Sequence, residues 1–246
     1  MFENRGYPRS RLAFLRSPAT FAVLAVNLCV FIVQYYLLSP HEKFWFEDNL
    51  PLSLDGLRAG HIWQLLTYQF LHAGWFHILV NSWAIFVFGR VVEQVLGWPR
   101  MLGLYFLSGV MGGLLQMAGA WLWPSLFGDP SIVGASAGAF GLVAAFAALF
   151  PRQKLLMLLF FVIPIAMRAR TLLGLSIVLS LVGIAYPALS HTLYRYTSPA
   201  VRNEIFDPLF LNIGHAAHLG GLLTGFTLAL ILKRDYTSQI YPQIET

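Results

Sequence analysis

The run Ile132-Val133-Gly134-Ala135-Ser136-Ala137-Gly138-Ala139-Phe140-Gly141-Leu142-Val143-Ala144-Ala145-Phe146-Ala147-Ala148-Leu149-Phe150 carries no charge and one hydroxyl. It has about the 20 residues that a helix needs to cross some 30 Å of hydrocarbon. Two more uncharged runs of that kind extend from Ala19 to Leu38 and from Met101 to Trp123. Three others are bounded by charges or turn residues: Phe76 to Phe88, running on past Arg90, then Thr171 to Leu189 and Leu209 to Leu232. Six crossings are therefore expected, in an all-α polytopic membrane protein. Composition agrees: 57% of the 246 residues are hydrophobic and 11% charged, where a soluble domain carries roughly 25% charged. The apolar piece from Leu155 to Met167 is short and contains Pro164, and it is expected at the interface rather than across the membrane.

The formal charge of +5 does not indicate a nucleic-acid partner, because the basic residues fall where a membrane protein places them for orientation. Arg5, Arg9, Arg11 and Arg16 precede the first crossing, Arg90 and Arg100 flank the joint between the second and third, and Arg152, Lys154, Arg168 and Arg170 lie between the fourth and fifth. Lys233 and Arg234 follow the sixth. Six crossings put all of these on one side, the cytoplasm. The chain divides accordingly into a basic N-terminal segment, residues 1–18, a membrane domain, 19–234, and a short tail, 235–246. The first apolar run is too long for a secretory signal and reads as a retained anchor. Short tails without transit-like character point to a multi-pass protein of a prokaryotic plasma (inner) membrane with both termini cytoplasmic. The single Cys29 excludes an internal disulfide and is expected to be a small buried packing residue.

Polar residues inside apolar runs are costly in hydrocarbon and so carry information about function. Ser136 lies 16 residues before Arg152, and His218 lies 15 before Lys233. At 1.5 Å rise per residue both sit roughly 22 to 24 Å above the inner boundary. His77, 13 residues before Arg90, falls at roughly 20 Å, with Asn81 on the same face one turn deeper. Gly134, Gly138 and Gly141 in one run, and Ala217, Gly221 and Gly225 in another, follow the small-xxx-small pattern that lets helices approach closely in lipid. Such a contact carries the His218 imidazole toward Ser136.

An imidazole accepts a proton near neutral pH and so activates a serine hydroxyl. Donors aimed at a developing oxyanion add a further large contribution, and His77, Asn81 and the Ser136 backbone N–H are candidates. No carboxylate occupies that depth; Glu93 lies near the inner end, and Asp129 and Asp207 lie in outer loops. A serine–histidine dyad is expected rather than a triad, with Phe140 packed on the imidazole to orient it. His72 and His215 are second-tier candidates, and His41, His61 and His191 are expected at the solvated interface. A haem or metal protein using His72, His77, His215 and His218 is the competing class; His215 and His218 share a face, but no carboxylate or thiolate joins them, and the site is expected to hold no metal.

At these residues the chain resembles the rhomboid intramembrane serine protease family. Gly134-Ala135-Ser136 followed by Phe140-Gly141-Leu142 is similar to the family's nucleophile motif, and Ala217-His218-x-x-Gly221-x-x-x-Gly225 to its base motif. Phe70-Leu71-His72-Ala73-Gly74-Trp75-Phe76-His77-Ile78-Leu79-Val80-Asn81 is similar to the family's second helix with its oxyanion donors. The resemblance covers roughly residues 19 to 232. It implies a six-transmembrane-helix rhomboid-like bundle with a partly submerged loop between helices 1 and 2, no cofactor, and cleavage of transmembrane segments in single-pass membrane proteins through an acyl-enzyme. The alternative is a catalytically inactive rhomboid-like protein that binds transmembrane clients.

Two positions depart from the family pattern. Ala137 stands where the family often has glycine and is expected to narrow the oxyanion space. Trp63-Gln64 stands for a Trp-Arg pair and removes a charge that would fix the first loop. Helix 5, with Pro187, and the segment Thr192 to Asp207 are expected to move to admit substrate.

Overall fold

A computed structural model describes residues 17–127, 131–159, 163–193 and 213–240. Among them the chain is helical and polytopic, with two small antiparallel strand pairings. Helix α1 (Pro18–Ile32) continues through a π-helical turn, Val33–Leu37. A loop follows, built from α2 (Pro40–Asn49), β1 (Leu52–Ser53), α3 (Leu54–Arg58) and α4 (Gln64–Thr67). Helix α5 (Trp75–Ala84) passes through a π-helical turn, Ile85–Gly89, into α6 (Arg90–Leu96). Then come α7 (Trp98–Leu122), α8 (Pro124–Phe127), β2 (Ser131–Ile132), α9 (Ser136–Leu149), β3 (Lys154–Leu159), β4 (Ile163–Arg168), α10 (Ala169–Leu193) and α11 (His215–Ile240). With no water in hydrocarbon to satisfy the backbone, the apolar runs have only the helix available to them.

Among the described residues, five helical stretches are long and apolar enough to cross a membrane: Pro18–Leu37, Trp75–Leu96, Trp98–Leu122, Ala169–Ser190 and His215–Lys233. The run from Ile132 to Phe150 is different. Only Ser136–Leu149, 14 residues, is helical, which spans about 21 Å. Its first four residues are drawn out of the helix because Ser131 and Ile132 pair antiparallel with Ser53 and Leu52, and Gly134 turns the chain at φ +131°. A left-handed φ of that kind costs other residues roughly 1–2 kcal/mol. The helix therefore begins at Ser136 instead of carrying it one turn inside.

Other expectations shift as well. Of the piece Leu155 to Met167, the described residues lie in two antiparallel strands, β3 and β4, paired from Lys154↔Arg168 to Leu159↔Ile163. The last span begins at His215, and residues 209–212 lie outside the described residues, as do the N-terminal arginines, Asp129 and Asp207, and most of Thr192 to Asp207. Cys29 is exposed on the outer face of α1 rather than buried, since α1 presents one side to lipid.

Buried polar side chains fasten the helix ends. Glu93 on α6 accepts from the N–H groups of Ala19 (3.0 Å) and Thr20 (2.8 Å) and from the Thr20 hydroxyl (2.6 Å). A carboxylate there meets orphan donors and the positive end of the α1 dipole together. Pro18, at the first turn of α1, has no N–H to satisfy.

The centre of the bundle is the trio α7, α9 and α11, whose backbones touch. A Cβ at Gly221 would fall on the Ala137 carbonyl oxygen, one at Gly225 on the Gly141 carbonyl, and one at Gly112 on the Ala217 carbonyl. The expected glycine stripe is thus partly reassigned. Gly221 and Gly225 do hold α11 against α9, but Gly138 faces the Tyr105 ring of α7 and Gly134 precedes the helix.

Candidate active site

Ser136 is the first residue of α9, so its own N–H and the next two have no intrahelical acceptor and lie at the positive end of the helix dipole. The first i→i−4 bond of α9 is Ala139 N–H to the Ala135 carbonyl, 2.9 Å. Three contacts hold the approach to this turn. Ser131 and Ile132 pair with β1, the Gly134 N–H donates to the Tyr68 carbonyl (2.9 Å), and the Tyr68 hydroxyl donates to the Gly109 carbonyl of α7 (2.6 Å). The first loop thereby grips the segment that presents Ser136.

His218 sits in the first turn of α11. The side-chain oxygen of Gln116 on α7 accepts from the N–H groups of Ala216 (3.1 Å) and Ala217 (3.2 Å), and this pins the start of that helix. His218 Nε2 lies 2.8 Å from Ser136 Oγ, a separation at which a hydroxyl proton passes to an imidazole. The Phe140 ring stands 4.5 Å from the His218 ring at 38°, and the His215 ring lies 6.0 Å away, edge-on at 82°. Gly183 of α10 packs directly on the His215 ring.

His77 and Asn81, on α5, face this pair from the other side. His77 Nδ1 accepts from the Ala73 N–H at 3.3 Å, which places the proton of the neutral ring on Nε2. A Cβ built on Gly134 would stand 2.7 Å from that Nε2 and 3.6 Å from Asn81 Nδ2. The glycine thus leaves open a space bordered by two side-chain donors and the start of α9. Asn81 Nδ2 is buried without a hydrogen-bond partner among the described residues, so its donor capacity is available to an oxygen placed there.

The two departures from the family pattern take on a different meaning. The Ala137 methyl points toward α7, where a Cβ at Gly112 would be 2.8 Å from it. It is accommodated against α7, so the space beside Gly134, His77 and Asn81 is not narrowed by it. Gln64 is fully buried yet paired at both ends: its amide donates to the Asn49 carbonyl (3.2 Å), and its oxygen accepts from the Ser53 N–H (3.2 Å). The Trp63 indole donates to the same Asn49 carbonyl, 3.0 Å. Neutral hydrogen bonds fix the loop without a charge.

His72, outside the spanning helices, is fully buried; burial, then the neighbouring His77, pushes its pKa down to about 4. It stays neutral, its Nδ1 3.2 Å from the Phe70 carbonyl. His61 stacks on Trp63 at 4.5 Å, His41 is exposed, and the His191 side chain lies outside the described residues. Among the described residues no group of three metal-ligating side chains converges. Gln116 and Tyr68 are absent from the candidates that the sequence offers, and Glu93 is placed there only near the inner end, without its role of holding the start of α1. A lone amide or acid inside an apolar run was the available signal for Gln116 and Glu93; Tyr68 had none.

A family model, the Rhomboid domain, matches residues 59–235, more than half of the chain. The chain belongs to the rhomboid family. Relatives include "Rhomboid-like protease 2" of Toxoplasma gondii, 33% identical over 124 residues, 50% of this chain and 41% of the relative. "Inactive rhomboid-related protein 2" of Caenorhabditis elegans is 26% identical over 221 residues, 88% of this chain and 55% of the relative. "Rhomboid-related protein 3" of Homo sapiens is 29% identical over 218 residues, 85% and 45%. The chain spans about half the length of the curated relatives it matches. Rhomboid relatives thus include both proteases and proteins named inactive, and the chain is an integral membrane member of the family.

Proposed function

We propose that this rhomboid-family chain is an intramembrane serine endopeptidase that cleaves transmembrane segments of single-pass membrane proteins. The observation that carries the reading is the 2.8 Å separation of Ser136 Oγ and His218 Nε2 beside a space bordered by His77 Nε2 and Asn81 Nδ2. Ser136 Oγ attacks the scissile carbonyl carbon while His218 Nε2 takes its proton. The oxyanion is held by His77 Nε2–H, Asn81 Nδ2–H and the Ser136 N–H, each donor of this type being worth roughly 3 kcal/mol. Collapse breaks the C–N bond, His218 returns the proton to the leaving amine, and water admitted from the outer side hydrolyses the acyl-enzyme with His218 again as base. Phe140 orients the ring in place of a carboxylate. Both chain ends lie on the cytoplasmic side in this reading, since the basic clusters flank the inner ends of the spans.

A fluorophosphonate probe tests this directly. Wild type is expected to be labelled, Ser136→Ala to lose all labelling, and His218→Ala to label on the order of 10³-fold more slowly. Labelling that persists in Ser136→Ala sinks the assignment. The relative named inactive, which aligns over 88% of the chain, favours a second reading, a rhomboid-like holder of transmembrane clients. That reading expects capture of clients at equal yield in wild type, Ser136→Ala and His218→Ala, with no cleavage of any helix in a single-pass panel.

A further inference from the structure

On the opposite side of α5 from the histidines lies a groove between α1 and α5, about 430 Å³ in volume and lined by Leu24, Leu28, Trp75, Leu79, Ser82 and Phe86 among others. Leu28, Leu79 and Trp75 are exposed, so the groove opens outward within two spanning helices. From Trp75 to Phe86 the helix rises roughly 16 Å, so the apolar lining of the groove runs along much of one leaflet, the path of an extended hydrocarbon chain.

The two ends of the groove differ in chemistry. At the outer end the Trp75 indole donates to the Tyr36 hydroxyl, 3.1 Å, an aromatic pair of the kind found at a membrane interface. At the inner end the Arg90 guanidinium lies over the Phe86 ring, 4.7 Å from its centroid. The Ser17 hydroxyl donates to the Arg90 carbonyl, 3.5 Å, so Arg90 is level with the first residues of α1, at the inner boundary.

We infer that this groove is a binding site for one anionic glycerophospholipid of the inner leaflet: the phosphate meets Arg90, and an acyl chain rises past Phe86, Ser82 and Leu79. An arginine recognises phosphate as a charged fork of donors, and one interfacial arginine supplies about a fivefold preference for anionic over zwitterionic lipid. The inference does not depend on the protease reading, since none of these residues borders Ser136 or His218.

The test is native mass spectrometry of the full chain released from bilayers of equal phosphatidylglycerol and phosphatidylcholine. Wild type is expected to retain one phosphatidylglycerol about fivefold over phosphatidylcholine. Arg90→Gln should retain both lipids equally, Arg90→Lys should restore most of the preference, and Ser82→Trp, which fills the groove, should lose the retained lipid altogether. A variant that does not give a monodisperse protein is replaced by Leu28→Trp, which fills the groove from α1. Equal retention of both lipids by wild type, or retention unchanged in the filled variants, overturns the inference. So does a photo-crosslinker at Leu79 that captures polypeptide instead of lipid, which would make the groove a docking site for a helix.

Discussion

The trio α7, α9 and α11 and the outer helices α1 and α10 are built from similarly apolar sequences and packed by opposite rules. Half of the most apolar stretch of α7 is buried inside the protein, against 22% in α1 and in α10. In the trio, glycines bring backbone against backbone, and attraction comes from close van der Waals contact because lipid supplies no hydrophobic drive between helices. In α10, Leu175, Val178, Leu179 and Leu181 point outward and are solvated by lipid. The difference explains how two residues 82 positions apart are held at hydrogen-bond distance in a fluid surrounding: the closely packed trio carries both of them, and the outer helices spend more of their surface on lipid.

The sharpest way to break this contrast is Gly221→Ala. Its methyl would fall on the Ala137 carbonyl oxygen and push α11 from α9, at a cost of about 1–3 kcal/mol. Misplacement of about 1 Å also costs on the order of 100-fold in turnover, measurable as kcat/KM on a cleaved single-pass helix. Next in size is Gln116→Leu, which orphans the Ala216 and Ala217 N–H groups at about 1–3 kcal/mol. Turnover should fall on the order of tenfold through kcat with KM unchanged, as positioning without substrate contact requires, while Gln116→Glu, which keeps an acceptor, should recover part of it.

His72 probes the loop that grips the Ser136 approach. Its pKa is lowered from 6.5 to about 4, so as pH falls the unfolded chain takes up the proton first. The stability from neutral, buried His72 is complete above pH 6.5 and is lost between pH 6.5 and 4. Thermal midpoints should fall across that window in wild type and stay flatter in His72→Gln. The smallest expected effect has the opposite sign to the first. Gly174→Ala in α10 meets open space and should stabilise by about 0.5–1 kcal/mol, with turnover unaltered. A loss of turnover in Gly174→Ala equal to that of Gly221→Ala would erase the distinction between the two regions.

What was legible in the chain follows from what is local. Spans were readable because length and lack of charge are properties of a run by itself, and the candidate residues stood out because a polar group in hydrocarbon is costly wherever it is. The start of α9 was not readable, because Ser131 and Ile132 leave the helical pattern only on pairing with Leu52 and Ser53, some 80 residues earlier. The doubts attached to Ala137 and Gln64 were of the same kind. Each looks like a loss until its partner is known, and the partners, Gly112 for one and Asn49 with Ser53 for the other, are distant in sequence.

The sequence by itself determined that the chain is a helical membrane protein with a serine and two histidines near one depth and an asparagine one turn deeper, since rise per residue and the cost of charge in lipid need no knowledge of neighbours. Only the tertiary structure decided that α9 begins at Ser136, that Gly134 leaves the space facing His77 and Asn81, and that Gln116 holds the first turn of α11. Those features arise where backbones from different helices meet, and steric exclusion between backbones operates over ångströms in space rather than over positions along the chain.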